Sequence, residues 1–111
     1  MADIEKGVNP TSFRWQAPTE NVDGSPVNGP LNYNLYRSST EVVNPDTDFF
    51  YVVVGTLQTE GVYSAPLDQF PEGRHVIALT AVDADGDESA LSNTLGFRIG
   101  IAPNPPLLLD S

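Results

Sequence analysis

The stretch HVIALTAVDADGDESALSN, residues 75–93, joins a long apolar run to a turn rich in aspartate. Ile77, Leu79 and Ala81 alternate with other residues, and a period of two is typical of a β-strand with one face on a core. Gly86 lies where a turn between strands requires a positive φ, and the aspartates beside it favour turns. The stretch therefore predicts a strand that ends in a turn.

The aspartates of this turn, Asp83, Asp85 and Asp87, also raise the alternative of a calcium loop. A helix–loop–helix calcium site requires oxygen ligands at loop positions 1, 3 and 5, glycine at position 6 and glutamate at position 12. Counted from Asp83, position 6 is Glu88 and position 12 is Thr94, and the flanking segments are predicted strands. We therefore expect a turn and no specific metal site, while a weak cation site outside this motif stays the open alternative.

Short apolar runs recur along the chain between ten prolines and nine glycines. This spacing of strands and turns predicts an all-β sandwich or barrel without helices. The segment before Thr11 is expected to form a short or irregular first strand, or one that a partner completes. The other predicted strands are TSFRWQA (11–17), LNYNLYRSS (31–39), FFYVVVGTL (49–57), GVYSAPL (61–67), GRHVIALTAVD (73–83) and TLGFRIGI (94–101).

With its strands in this order, the sequence resembles the fibronectin type III family over about residues 8–101. Trp15 in FRWQAP matches a tryptophan of the second family strand. The motif GPLNYNLYR matches the next strand through Tyr33, Leu35, Tyr36 and Arg37, and HVIALTAVDADGDESALSN matches the sixth strand with its turn. The resemblance implies an immunoglobulin-like antiparallel β-sandwich of the seven-strand type.

This resemblance also implies roles for single residues. Trp15 is expected in the core, with a sugar-stacking platform as the less favoured alternative. The family usually has a tyrosine at the start of its sixth strand, where its hydroxyl ties down the preceding loop. The motif PEGRH places His75 there, and its imidazole is expected to point inward and to make a similar hydrogen bond to the backbone. The Arg-Gly-Asp triplet used in integrin adhesion does not occur.

Charge and composition argue against several functions. The formal net charge of −10 disfavours binding to nucleic acid or to anionic lipid, and no apolar run is long enough to span a membrane. The chain has no cysteine, which excludes a thiolate metal site. Its single histidine, His75, is predicted to point inward with Ile77 and Leu79, and a nucleophile triad would need it beside an acid and a hydroxyl. We therefore expect no enzymatic activity and no cofactor.

Two segments contain more apolar residues than a small sandwich needs for its own core. In FFYVVV, residues 49–54, both faces are apolar, so Phe50, Val52 and Val54 are expected to be exposed if Phe49, Tyr51 and Val53 are core. The family resemblance implies that this strand lies near a sheet edge. An exposed apolar strand in that position needs a cover, which is either a loop or tail of the same chain or a partner.

The second segment is PPLLLDS at the end of the chain. We predict a sandwich over residues 1–102 and a proline-rich extended tail over 103–111. Leu107, Leu108 and Leu109 have no place in an alternating strand, and the prolines prevent a complete ladder. The tail is therefore interpreted either as a frayed terminus or as a docking peptide.

From these features we predict a protein–protein interaction module without enzymatic activity. The family is mostly extracellular, yet the start MADIEKGVNP lacks the apolar core of a signal peptide. A bacteriophage virion protein, assembled in the host cytoplasm as a capsid decoration or tail component, reconciles the two. Its expected partners are capsid or tail proteins, or further copies of itself. The alternative is a carbohydrate- or surface-binding accessory module of a larger secreted, extracellular protein.

Overall fold

Eight strands form two sheets within the part of the chain that the structure describes. The computed structural model describes residues 3–100 and 103–110, and these residues contain no helix. The strands are β1 (Ile4–Val8), β2 (Ser12–Gln16), β3 (Asn32–Ser38), β4 (Phe49–Val53), β5 (Thr56–Thr59), β6 (Val62–Pro66), β7 (Gly73–Val82) and β8 (Leu95–Ile99). One sheet has the order β1-β8-β7-β3-β4, and the other has the order β2-β6-β5. The predicted all-β, two-sheet class is confirmed.

One strand pair departs from the predicted antiparallel arrangement. β1 runs parallel to β8, whereas the other strand pairs of the described residues are antiparallel. The register of β1 shifts between Glu5 and Val8, around Gly7 with its φ of 81°. β1 is thus the irregular first strand expected from the sequence. Because it pairs with β8, it leaves one edge of β2 without a neighbouring strand.

The main core fills the space between the sheets, where alternate residues of facing strands meet. β3 and β7 pair over seven residues, and this centre carries the inward residues predicted from the period of two. Ile99 packs against this core, while Ile101, the end of the last predicted strand, and Ala102, the predicted end of the sandwich, lie outside the described residues. The buried core residues are Phe13, Tyr33, Leu35, Val53, Ala65, Leu67, Phe70, Ile77, Leu79 and Phe97.

A second buried cluster covers the outer face of the five-stranded sheet. Tyr36 lies on the face of β3 opposite the main core and is nevertheless only 5% exposed. It packs with Val43, Val76 and Ala78, while Leu91 lies against them. Loop residues thus cover the central strands on the outer face, and β3 and β7 are buried on both sides.

The predicted single strand FFYVVVGTL is wrong, because the chain changes sheets within it. β4 belongs to the five-stranded sheet and β5 to the three-stranded sheet, so the sandwich has eight strands and not seven. The change occurs at Val54 and Gly55. A Cβ atom on Gly55 would lie 2.5 Å from Cη2 of Trp15, so the crossing needs a residue without a side chain.

His75 ties the start of β7 to the preceding loop. Its side chain is 1% exposed and contacts the rings of Phe70 and Phe97, with centroids 5.1 and 5.4 Å away. Nε2 lies 2.7 Å from the Pro71 carbonyl, and Arg37 Nε donates to Nδ1 at 2.8 Å. The ring is therefore the neutral tautomer that carries its proton on Nε2. The inward position and the backbone hydrogen bond predicted for His75 are both confirmed.

Candidate protein-interaction site

β4, one of the two edge strands of the five-stranded sheet, presents apolar side chains to solvent. It pairs with β3 alone among the described strands. The β4 surface, as we name it, consists of Phe49 (54% exposed), Phe50 (41%), Val52 (54%) and Val54 (87%). A contiguous apolar edge of this kind is a template for association with another protein surface. The three residues predicted from the sequence, Phe50, Val52 and Val54, are thus exposed, and their role in partner binding stays a prediction.

The alternation predicted for β4 is correct at its end and wrong at its start. Tyr51 and Val53 face the core as expected. The register with β3 shifts next to Phe50, which places Phe49 opposite Tyr36 on the outer face, with ring centroids 5.7 Å apart. Phe49 is therefore not a core residue. A β-bulge admits an extra residue and changes the face of those that follow, which the alternating pattern alone does not reveal.

Phe50 has a partial contact with the domain. Its ring lies 5.3 Å from that of Phe70 and 5.1 Å from that of Tyr51. Val52 and Val54 are more exposed than Phe50, at 54% and 87% against 41%, so they are the better positions for a substitution that changes the surface and spares the core.

The tail is extended and exposed over its described part, residues 103–110. Leu107, Leu108 and Leu109 are 84%, 91% and 77% exposed. The tail joins no ladder, as the prolines predict, and it does not cover the β4 surface. Ser111 lies outside the described residues. The docking role of the three leucines stays a prediction, because the tail is seen here only in its free form.

An open cleft of about 390 Å³ lies between β2, the second half of β7 and the segment 89–93. The sequence did not reveal it, because it depends on how the two sheets meet beside the edge strand β2. We name it the β2 cleft. Its lining residues include Ile4, Phe13, Arg14, Trp15, Gln16, Leu79, Ala90 and Leu95.

Trp15 lies at the boundary between the core and this cleft. Its ring is partly buried and packs against the core, with ring centroids 5.3 Å from Phe13, 5.2 Å from Tyr33 and 6.0 Å from Tyr63. The predicted core position is therefore correct, although the indole also lines the cleft. Its Nε1 atom is buried and has no hydrogen-bond partner among the described residues.

The aspartate segment forms the predicted turn. Gly86 has a φ of 88°, and Oδ1 of Asp83 accepts the backbone N–H groups of Asp85 and Asp87 at 3.0 and 2.9 Å. Carboxylate atoms of the three aspartates nevertheless lie within 4.8 Å of one another. Asp85 accepts a further hydrogen bond from Asn28 at 2.8 Å. Oδ1 of Asp83 is thus engaged in holding the turn. Among the described residues, no glutamate joins the three aspartates as the bidentate ligand that a calcium loop requires.

We expect calcium to bind this turn no more tightly than the millimolar range, because the geometry lacks the ligands of a high-affinity loop. Isothermal titration calorimetry of the whole chain with CaCl₂ measures this. Micromolar binding that the substitution Asp85→Ala abolishes, and that Asp23→Ala in a different loop leaves intact, would contradict the interpretation as a turn.

Glu88 gathers polar groups on the outer face of the five-stranded sheet. Its Oε2 atom accepts hydrogen bonds from Thr80 at 2.5 Å, from the Tyr36 hydroxyl and from Asn34 at 3.3 Å. The hydrogen bonds from Thr80 and then Tyr36 lower the pKa of this carboxyl. Glu88 is therefore ionised and links β3 to β7 through these hydrogen bonds. A general acid at neutral pH would instead have to keep its carboxyl protonated.

His75 has no geometry for proton transfer in the described structure. Both ring nitrogens are occupied by the backbone and by Arg37, and burial lowers the pKa of the imidazole. The candidate site is thus a set of surfaces for binding, and the absence of enzymatic activity stays a prediction.

No family model, no curated protein and no solved structure matches this chain. Within the described residues there is no helix of the length and apolar character needed to cross a membrane.

Proposed function

We propose that this protein is a non-enzymatic protein–protein interaction module of the fibronectin type III kind. The observation that carries the proposal is the β4 surface, in which Val52 and Val54 are 54% and 87% exposed beside a strand edge with free backbone groups. A strand edge supplies backbone hydrogen bonds, and apolar side chains beside it supply area that leaves water on binding.

The corner made by His75 supports the comparison with this family. A side chain at the start of β7 hydrogen-bonds to the backbone of the preceding loop, as the family tyrosine does. The tryptophan in the second strand and the strand order along the chain are further points of resemblance.

The setting we propose is a bacteriophage virion, in which the module decorates a capsid or forms part of a tail after assembly in the host cytoplasm. A contact made by one short strand is weak alone. It becomes effective when a particle presents many copies, because each further contact is then intramolecular. The strong acidic charge opposes aggregation of free copies and favours solubility before assembly.

A carbohydrate-binding accessory module is the second candidate, and one observation favours it. Trp15 lines a cleft that also holds polar side chains such as Gln16 and Asn93, a combination used for sugars. The ring is wedged between the sheets, however, and only part of its surface is open.

Self-association through β4 provides the test of the first proposal. Sedimentation velocity of the wild-type chain is expected to show a reversible increase in mass with concentration. The variant Val52→Lys/Val54→Lys is expected to shift this association at least tenfold in concentration, since the ammonium groups would be desolvated in the contact. The charge-matched control Val22→Lys/Val42→Lys changes two loop valines that are 111% and 74% exposed, and it is expected to associate like the wild type.

Two results would contradict this proposal. One is a wild type that is strictly monomeric into the millimolar range and whose β4 amides are not protected on a virion. The other is an equal loss of association in both lysine variants, because that outcome would assign the effect to net charge and not to β4.

A further inference from the structure

We propose that the β2 cleft receives the tail of a second copy of this chain, which adds to β2 as a short extra strand. The inference rests on the proposed function, since it names how copies join, and it adds a contact distinct from the β4 surface.

The first observation is the open edge of β2. The Ala17 N–H donates to the carbonyl of Gly61 at 2.8 Å on the β6 side, so odd-numbered residues of this strand direct their backbone toward β6. Arg14 and Gln16 therefore direct their N–H and C=O groups to the open side, where no described strand pairs with them. The backbone of an added strand could form hydrogen bonds with these groups.

One end of this edge is already occupied. Lys6 Nζ donates to the backbone carbonyl of Ser12 at 2.8 Å. A lysine at a strand edge opposes pairing at that point. The part that stays available is the stretch around Arg14 and Gln16, which matches a segment of only three or four residues.

The second observation is the chemistry of the cleft beneath that edge. Phe13, Trp15, Leu79 and Leu95 contribute to its walls, so apolar side chains of an added strand would leave water there.

The third observation is the tail itself. The segment 107–110 spans about 13 Å when extended, and the five residues of β2 span about 17 Å. On a strand, side chains alternate between faces, so Leu107 and Leu109 would enter the cleft while Leu108 would lie outward beside Arg14. Two of the three consecutive leucines would thus be buried in the cleft, and the third would remain at its edge.

Charge favours the same match. Lys6, Arg14 and Arg98, three of the five basic residues of the chain, lie on the strands around the cleft. The described tail carries a single charge, on Asp110, which is opposite in sign to these three residues.

A second copy fits this arrangement better than the chain's own tail. β8 ends beside the start of β2, because Arg98 pairs with Val8 and Gly100 N–H donates to Asn9 at 2.9 Å. The tail would have to reverse direction before Leu107 to enter its own cleft. Pro103, Pro105 and Pro106 oppose such a reversal, since they hold the backbone extended.

Disulfide trapping tests the contact, and the natural chain offers a clean background because it has no cysteine. Copies with Arg14→Cys are mixed with copies with Leu108→Cys, both in the Val52→Lys/Val54→Lys background, and are oxidised. We expect a mixed disulfide dimer at least tenfold above the yield with Val22→Cys in place of Arg14→Cys. Because this background disables the β4 contact, a trapped dimer is independent of the β4 proposal.

The alternation of the leucines gives the matched control. In the same background, without the cysteines, Leu107→Ser/Leu109→Ser is expected to weaken association at least tenfold in sedimentation velocity, and Leu108→Ser less than threefold. Circular dichroism verifies that each variant is folded. Equal losses in the two serine variants, or a trapping yield no higher than that of Val22→Cys, would overturn the inference. An internal disulfide in a dilute chain carrying both Arg14→Cys and Leu108→Cys would also overturn it, by assigning the cleft to the chain's own tail.

Discussion

Replacing Trp15 with alanine is expected to lower the free energy of unfolding by about 3–5 kcal/mol. The indole contacts the rings of Phe13, Tyr33 and Tyr63 and lies against Gly55, so its removal leaves a void where the chain changes sheets. Because a domain of this size has a total stability of about 5–15 kcal/mol, such a loss brings the protein close to unfolding at 37 °C. Urea denaturation followed by far-ultraviolet circular dichroism measures it.

Two comparisons sharpen this experiment. Trp15→Phe keeps a ring between the sheets and removes the N–H group that lacks a partner, so its cost is expected to be less than half that of alanine. An alanine variant that keeps wild-type stability and loses binding to a glycan would reverse the interpretation. Trp15 would then be a sugar platform, and the accessory-module function would replace the first proposal.

Replacing His75 with alanine is expected to cost about 3 kcal/mol, the second largest effect. The substitution removes packing against Phe70 and Phe97, and it leaves the Pro71 carbonyl and the Arg37 guanidinium without this hydrogen-bond partner. Chemical denaturation at pH 7.5 measures the loss. A cost below about 1 kcal/mol would contradict the assignment of His75 as the tie between β7 and the preceding loop.

The same residue predicts a pH dependence of stability. Burial lowers the pKa of His75 below the ordinary value of 6.5, and Arg37 opposes its protonation further. The unfolded chain therefore binds a proton more readily than the folded one, so the stabilisation is complete above pH 6.5 and is lost as the pH falls below it. The slope is at most about 1.4 kcal/mol per pH unit for one proton. His75→Phe, which cannot titrate, is expected to flatten the stability profile between pH 7.5 and 5.5, and an unchanged profile would contradict this account.

Alternating strands were the part of the fold that could be predicted from sequence. In β2 and β8 the residues that face the other sheet are apolar and alternate with small or polar ones, so the period of two is visible in the sequence itself. The turn at Asp83–Asp87 and the corner at His75 were also accessible, because both depend on local chemistry.

Features that depend on the whole chain could not be read in this way. The run of residues 49–57 is apolar throughout, and neither the bulge at Phe50 nor the change of sheet at Gly55 has a periodic signal. β1 is exposed along its whole length, so nothing in its pattern indicates a parallel pairing with β8. The β2 cleft depends on how the two sheets meet beside β2, which no pattern in the sequence indicates.

Hydrogen–deuterium exchange of the β4 amides tests the central claim, that this exposed strand edge is a protein-binding surface, most directly. Exchange is measured by mass spectrometry on the wild-type chain at increasing concentrations, with Val52→Lys/Val54→Lys in parallel. Slower exchange in residues 49–54 as the copies associate, absent in the lysine variant, is the predicted result. Association that leaves the exchange of residues 49–54 unchanged would contradict the claim, because the copies would then meet through another surface.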